Sequence, residues 1–282
     1  MRLLLQLFSE CIARIILGWL IIITAFTIYP VSRVFARSKA IRTIRTALIT
    51  GASDGLGLAV ALEYATLGTT LIILDSKDLT NAERQLSSLG VKVVALKVDF
   101  VDGKSLTKAI RSIVSEHDID LAMFTHSIDR FSKKSVSRVF EYNAISLKRM
   151  LRPIADSMKR RQKGHIVLTG SVVGEGMPVG GSFQYAASKS LISEMANTFQ
   201  QELDKYNVNV TLFSPSGLHT RLADELHLTG LTSMTDAAKR LHQAVQLNLR
   251  NVTFPLHHLL IMATLSSLNS PLRARIAQYL IK

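Results

Sequence analysis

Residues 46–57 read Thr46-Ala-Leu-Ile-Thr50-Gly51-Ala-Ser53-Asp54-Gly55-Leu56-Gly57. The run begins as a short, apolar, β-rich segment, and residues 58–67 continue it in a helical pattern. Its glycines permit a tight turn, close approach of the backbone to a pyrophosphate and close packing of helix on strand. The helix N-terminus supplies N–H donors for phosphate oxygens. The run therefore predicts a strand, a phosphate-binding turn and a helix, with a purely structural turn as the alternative.

Further short β-rich runs follow, each separated from the next by a segment long enough for a crossover helix. They are residues 70–74, 91–98, 121–124, 165–169 and 208–213. Such alternation is typical of an α/β fold with a mainly parallel sheet and helices on both faces. No internal repeat is evident.

A tyrosine and a lysine four residues apart, Tyr185 and Lys189, project from one face of a predicted helix. The ammonium near the phenol favours its ionised form, which makes Tyr185 a candidate acid/base. Taken alone, such a pair is more often an ordinary surface pair. Taken singly, Ser171 is equally a turn residue at a strand end, and Asn143 a polar residue inside a helix.

Together these segments resemble the short-chain dehydrogenase/reductase family in order and spacing. The resemblance covers residues 46–220 and is carried by the glycine turn, Asn143, Gly170-Ser171-Val-Val-Gly174, Tyr185-Ala-Ala-Ser-Lys189 and Pro215-Ser-Gly-Leu-His-Thr220. It implies a Rossmann-type, doubly wound parallel sheet that binds a nicotinamide dinucleotide. The implied chemistry is hydride transfer between the nicotinamide and a ketone or secondary alcohol.

The resemblance also implies a role for each matching residue. Tyr185 donates a proton to the carbonyl oxygen in the reductive direction, and Ser171 hydrogen-bonds the same oxygen. Lys189 lowers the tyrosine pKa and holds the nicotinamide ribose, while Asn143 holds a water that passes protons towards it. The implied cofactor contacts are Thr50, Gly51, Ser53, Asp54, Gly55, Leu56, Gly57, Asp75, Asp99, Tyr185, Lys189, Pro215, Gly217 and Thr220.

Asp75 ends the second predicted strand, where a carboxylate accepts bonds from adenosine ribose hydroxyls and repels a 2′-phosphate. NAD is therefore favoured over NADP, although Ser76 and Lys77 weaken this preference. Asp99 matches the family position that receives the adenine amino group; a turn-forming acid at a strand end is the alternative. No metal is predicted, because His126 has no second metal-type residue at a recognisable spacing.

One segment departs from the family. Phe124-Thr125-His126-Ser127 stands where the family usually has Asn-Asn-Ala-Gly, so the asparagine that ties the sheet together is missing. His126 is interpreted as a packing substitution. The departure motivates an alternative function, a membrane-tethered Rossmann-fold binding or scaffold protein without turnover.

Residues 1–45 form a separate unit, predicted to be a membrane anchor. Residues 15–31 are uncharged and apolar, near the length that spans a bilayer, and basic residues follow them. A cleaved signal peptide and a buried core helix are the alternatives. The positive-inside tendency places the body in the cytoplasm, at the endoplasmic reticulum if the host is eukaryotic.

The 282-residue chain has 34 Lys+Arg against 21 Asp+Glu, a formal charge of +13. These cations do not interleave with aromatics, which favours an anionic membrane over nucleic acid as a neighbour. Only one cysteine, Cys11, is present, so an intrachain disulfide is excluded.

Residues 221–282 are predicted to shape the substrate site, with a lid at 222–231 and an amphipathic helix at 236–249. Residues 254–268 form an apolar segment that favours a membrane surface, with a buried helix or an oligomer contact as the alternative. The layout is similar to membrane hydroxysteroid dehydrogenases, and Lys205-Tyr-Asn-Val-Asn-Val-Thr-Leu is similar to 3-ketodihydrosphingosine reductases. A hydrophobic, lipid- or steroid-like substrate and a homodimer or homotetramer are therefore expected.

Overall fold

The structure, a computed structural model, describes residue 16 and residues 43–128, 136–175, 183–216, 218 and 231–254. Among them no helix is both long and apolar enough to cross a bilayer. Apart from Ile16 and residues 43–45, the predicted anchor lies outside the described residues, as do most of the predicted lid and all of the apolar segment after Phe254.

The described residues form a parallel sheet of seven strands in the order β3-β2-β1-β4-β5-β6-β7. The strands are β1 (Thr46–Thr50), β2 (Thr70–Asp75), β3 (Val93–Lys97), β4 (Leu121–Phe124), β5 (Gly164–Thr169), β6 (Val208–Pro215) and β7 (Asn251–Phe254). Because β1 pairs with β2 on one side and β4 on the other, the strand order reverses there. Ligands of open α/β sheets bind outside the carboxyl ends of the strands at such a point.

Helices cover both faces of the sheet. They are α1 (Gly55–Ala65), α2 (Thr80–Ser87), α3 (Gly103–Glu116), α4 (Val136–Phe140), a π-helix (Glu141–Ile145), α5 (Ser146–Arg161), a 3₁₀ turn (Val172–Glu175), α6 (Phe183–Leu203), a second 3₁₀ turn (Asp204–Tyr206) and α7 (Met234–Gln246). α3, α5 and α6 pack on the face that contains Leu48, whereas α1, α2 and α7 pack on the face that contains Ile49. Neighbouring strand residues thus serve opposite cores, as the two-residue period of a strand requires.

The prediction of a Rossmann-type parallel sheet is confirmed, and the predicted strands lie within a few residues of the observed ones. Two elements beyond residue 220 also belong to the sheet domain. α7 packs against α1, and β7 pairs with β6 from Leu212 to Pro215. β7 was not predicted, because its short run merges with the apolar residues that follow it.

Candidate active site

The centre of the candidate site is the pair Tyr185 and Lys189 on α6. Lys189 is 1% exposed, and its Nζ donates a hydrogen bond of 2.9 Å to the carbonyl of Thr169, the last residue of β5. The same Nζ lies 5.6 Å from the centroid of the Tyr185 ring. The helix therefore places the ammonium beside the phenol, and the end of β5 fixes where the ammonium points.

Burial lowers the pKa of Lys189 to about 7. Removal of an ammonium from water disfavours its charged form, and the hydrogen bond to the Thr169 carbonyl offsets this only in part. The group therefore changes charge near neutral pH in the nucleotide-free protein. A proton-exchanging residue benefits from a pKa close to the working pH.

Ser171 lies just beyond β5 and is 7% exposed. Its Oγ accepts the N–H of Val173 at 3.3 Å, and its carbonyl accepts the N–H of Gly174, so the serine also starts the 3₁₀ turn. Gly174 has a steric purpose, since a Cβ there would come within 2.6 Å of the Lys189 backbone. The glycine lets the Ser171 turn rest directly on α6, next to Lys189.

Asn143 lies fully buried in the π-helix. Its Oδ1 accepts the N–H of Ile128 at 2.9 Å, and its Nδ2 donates to the carbonyl of Ile128 at 2.8 Å and to Ser188 Oγ at 3.0 Å. Both N–H donors are therefore engaged, so a water held at this site must donate to the remaining Oδ1 lone pair or to a main-chain carbonyl. A π-type bond from Ser146 N–H to the Glu141 carbonyl ends the segment; such segments often mark functional sites.

Ser188 connects these parts. Its hydroxyl donates to the carbonyl of Tyr185 at 2.8 Å and accepts from Asn143. The sequence contains this serine inside the Tyr185–Lys189 motif, but neither its role nor that of the Thr169 carbonyl was predicted. The position of Thr169 at a strand end directly before Gly170 is the signal that would have indicated it.

The glycine turn between β1 and α1 has the features of a phosphate cradle. Gly51 has φ +70°, and a Cβ on Gly57 would lie 2.1 Å from the Gly51 carbonyl oxygen, so both positions require glycine. Asp54 makes no side-chain cap bond to α1, which leaves the first N–H groups of the helix without that partner. The buried Oγ of Ser53 has no hydrogen-bond partner among the residues that the structure describes. These orphaned donors fit the pyrophosphate of a dinucleotide.

Asp75 is 3% exposed at the end of β2. One carboxylate oxygen accepts the N–H of Ser53 at 3.0 Å, and the other accepts the N–H of Lys77 at 3.1 Å. Asp75 therefore fastens the glycine turn to β2, and each oxygen keeps lone-pair capacity for a hydroxyl group. Beside it, Lys77 and Asp54 form an exposed ion pair at 2.7 Å.

The remaining predicted contacts are spread around this edge. Asp99 is exposed and accepts the N–H of Val101, as a turn-forming acid does, and Pro215 ends β6. Gly217 and Thr220 lie outside the described residues.

The expected loss of a sheet tie is compensated. Thr125 Oγ1 donates to the Thr50 carbonyl, and His126 Nδ1 lies 2.7 Å from Thr50 Oγ1. Thr125 and His126 thus fasten the end of β4 to the end of β1. His126 is buried in packing, as predicted, but it also bonds through both ring nitrogens.

A profile of the family described as short chain dehydrogenase matches residues 45–229. Oxidoreductase UcpA of Salmonella typhimurium is 28% identical over 65% of this chain and 73% of its own length. The NADP-dependent 3-hydroxy acid dehydrogenase of Schizosaccharomyces pombe is 27% identical over 64% and 73%. Human retinol dehydrogenase 8 is 26% identical over 64% and 61%.

Solved structures share the fold. A short-chain dehydrogenase from Sphingobium yanoikuyae in complex with NADPH has a TM-score of 0.70 and 23% identity, over 76% of this chain and 89% of its own. One from Burkholderia phymatum in complex with NAD has a TM-score of 0.72 and 20% identity, over 79% and 93%.

The depressed pKa of Lys189 predicts how stability depends on pH. The folded value, about 7, lies below the unfolded value of about 10.4. Between these values the unfolded chain binds a proton that the folded chain does not, so the Lys189 contribution to the free energy of unfolding rises with pH. We expect Lys189→Met to remove this contribution. The difference in Tm between nucleotide-free wild type and variant should therefore shift in favour of wild type from about pH 7 to about pH 10. A difference that stays constant with pH would contradict the assignment.

Proposed function

The chain belongs to the short-chain dehydrogenase family and is an NAD(P)-dependent oxidoreductase of the alcohol–carbonyl pair, and we propose that Tyr185 is its acid/base residue. The observation that carries this proposal is the buried Lys189 ammonium, 5.6 Å from the Tyr185 ring and fixed by the end of β5. The packing of the Ser171 turn on the same helix supports it.

In the reductive direction, Tyr185 donates a proton to the carbonyl oxygen of the substrate. Ser171 donates a hydrogen bond to the same oxygen, which positions it and stabilises the developing charge. The positive charge of Lys189 favours the phenolate that remains on Tyr185. Lys189 then returns a proton, replenished through water near Asn143. In the oxidative direction the same residues run in reverse.

The residues of the glycine turn fit the dinucleotide. The N–H groups at the start of α1 and the Ser53 hydroxyl would hold its pyrophosphate, and Lys189 would hold the nicotinamide ribose. When bound, the nicotinamide supplies or accepts the hydride.

We further propose that NAD(H) is preferred over NADP(H). Asp75 is held rigidly by two backbone N–H groups, so its charge stays at the end of β2, where it accepts from ribose hydroxyls and repels a 2′-phosphate. Lys77 is paired with Asp54 and is therefore less available to a phosphate.

The substrate is proposed to be a hydrophobic ketone or secondary alcohol, lipid- or steroid-like, as in lipid metabolism. Support comes from the apolar segments of the sequence, the resemblance to 3-ketodihydrosphingosine reductases and membrane hydroxysteroid dehydrogenases, and the similarity to a retinol dehydrogenase.

Membrane association is proposed through the N-terminal segment, with the catalytic domain facing the cytoplasm, at the endoplasmic reticulum in a eukaryotic host. A groove of about 660 Å³ between α3 and α5 supports it, because several of its lining side chains are cationic. Arg111, Lys148 and Arg160 line it without forming an ion pair in the described part of the chain. Such cations match the negative surface potential of a cytoplasmic leaflet.

Self-association is proposed through α6. Phe183 and Leu191 lie eight residues apart, on one face of the helix, and are 68% and 37% exposed. A homodimer or homotetramer that buries this face is expected, and a monomeric mass by light scattering would contradict it.

The catalytic proposal is tested with Tyr185→Phe. We expect the rate of NAD(P)H oxidation with lipid ketones to fall by about 10²–10⁴-fold, because the proton donor is lost. Nucleotide affinity should stay close to wild type. Tyr206→Phe, the same change at the exit of α6, is the control and should leave the rate unchanged. Equal turnover of small, water-soluble ketones would contradict the substrate class.

The same assay tests the alternative, a membrane-tethered scaffold that keeps the fold and has lost turnover. The Phe124-Thr-His-Ser127 departure motivates it. Tight nucleotide binding with no reaction in either direction would favour the scaffold.

The cofactor proposal predicts the effect of Asp75→Asn. The variant should lose about tenfold in NADH affinity, because a charge-assisted acceptor is removed, and its ratio of NADPH to NADH turnover should rise. Asp78→Asn removes a nearby exposed charge and should change neither quantity. If wild type already prefers NADPH, the role given to Asp75 is wrong.

The membrane proposal predicts slower amide exchange along α3 and α5 when the full chain is placed in phosphatidylserine vesicles rather than phosphatidylcholine vesicles. The triple variant Arg111→Gln, Lys148→Gln, Arg160→Gln should lose this difference, because the cations that meet the headgroups are gone. Arg84→Gln, Lys92→Gln, Lys239→Gln is a control that removes three exposed cations elsewhere. Release of the full chain from membranes by alkaline carbonate would contradict the anchor.

A further inference from the structure

A buried histidine at the end of β4 joins the nucleotide side of the site to the catalytic side. His126 is 5% exposed, with Nδ1 2.7 Å from Thr50 Oγ1 and Nε2 2.9 Å from Ser146 Oγ. Ser146 Oγ in turn bonds the carbonyl of Tyr142 in the π-helix. Thr50 is the residue before the glycine turn, so one imidazole bridges the two segments.

The direction of these bonds follows from the donors available. The Ser146 hydroxyl gives its only proton to the Tyr142 carbonyl, so it must accept from Nε2–H of His126. Nδ1 of the neutral ring is then an acceptor, and Thr50 O–H donates to it. In this series of hydrogen bonds each group donates to the next, from Thr50 on β1 to the Tyr142 carbonyl in the π-helix. Such an arrangement strengthens each bond.

The ring stays neutral at working pH. Burial, and then the nearby charge of Lys189, lower the pKa of His126 to about 3, while Asp75 and a backbone bond at Tyr142 act in the opposite direction. The neutral Nε2–H tautomer is therefore the form present at working pH, and protonation of the ring does not interrupt the series of hydrogen bonds.

Aromatic packing fixes the same ring from its sides. His126 stacks on Phe100 with centroids 4.4 Å apart, and Tyr142 meets Phe100 edge-on at 5.3 Å. The Tyr142 hydroxyl bonds Ser76 Oγ at 2.9 Å, just beyond β2. The π-helix is thus tied to β2 as well as to β4.

The glycine turn rests on the backbone of the same residue. A Cβ on Gly51 would lie 2.7 Å from both N and Cα of His126. Any shift of residue 126 therefore displaces the turn that precedes α1. The family's usual residue at this position, alanine, can make neither ring bond.

We infer that His126 is a positioning residue that holds the glycine turn and the π-helix of Asn143 in one fixed relation. This inference rests on the proposed function. It assigns to His126 and Ser146 an effect on both nucleotide binding and turnover that acts through the segments they connect, since both side chains are buried.

Ser146→Ala tests the inference, because it removes one hydroxyl and keeps the histidine. Thr211→Val is a closely matched control: Thr211 Oγ1 likewise lies between a buried histidine Nε2, that of His165, at 2.8 Å, and a backbone carbonyl, that of Leu249. Both variants should lower Tm by similar amounts. Only Ser146→Ala should weaken nucleotide binding several-fold and reduce kcat by about tenfold, because the Asn143 segment is misplaced.

His126→Phe keeps the stacking and removes both ring bonds. Since one chain of bonds is broken in each case, the double variant with Ser146→Ala should lose no more activity than His126→Phe alone. Losses that add, or a Ser146→Ala variant with wild-type nucleotide Kd and kcat, would overturn the inference.

Different results would refute the proposed reaction and the positioning role of His126. If wild type shows no turnover in either direction, the proposed reaction fails, and nucleotide Kd alone decides the role of His126. An unchanged Kd in Ser146→Ala would then refute it. If wild type turns over substrate and the variants have the same nucleotide Kd and kcat as wild type, the proposed reaction stands and the positioning role is refuted.

Discussion

The candidate site depends on the burial of one ammonium group. Lys189 reaches the end of β5 from the second turn of α6, and its hydrogen bond to the Thr169 carbonyl is possible only if that helix lies directly on the strand ends. Gly174 makes this contact sterically feasible, since any side chain there would press on the Lys189 backbone. The Ser171 turn, the phenol of Tyr185 and the Ser188–Asn143 link are all placed by the same packing. Burial then lowers the lysine pKa to about 7, which links the packing to the chemistry.

Local patterns in the sequence were enough for the parts of the site that lie within one segment. The glycine turn can be recognised from the sequence because only glycine tolerates the φ of residue 51 and the contact at residue 57. The Tyr185–Lys189 spacing can be recognised because it is a property of a single helix. Asn143 could be selected only through the family resemblance. Its actual partners, Ile128 and Ser188, are 15 and 45 residues away, and no local pattern indicates such pairings.

The difference between local patterns and contacts over long sequence separations also explains why β7 and the bonds of His126 were not predicted. Strand Asn251–Phe254 is defined by pairing with β6, whereas its own composition merges with the apolar tail that follows. The sequence flagged Phe124-Thr-His-Ser127 correctly as a departure, but not its compensation. Thr125 and His126 replace the missing tie with bonds to both the carbonyl and the hydroxyl of Thr50, more than 70 residues away. A substitution that weakens a motif locally can thus restore it through contacts visible only in three dimensions.

The strand order β3-β2-β1-β4-β5-β6-β7 has a consequence for synthesis on the ribosome. The chain adds β2 and β3 on one side of β1 and then β4 to β7, in order, on the other, so no strand has to insert between two that already pair. Until β6 emerges, however, the backbone edge of β5 has no neighbour, and an open edge invites pairing with other chains. The lysine-bearing helix α6 is made in that interval. A nascent chain therefore completes α6 before the strand edge beside it is closed.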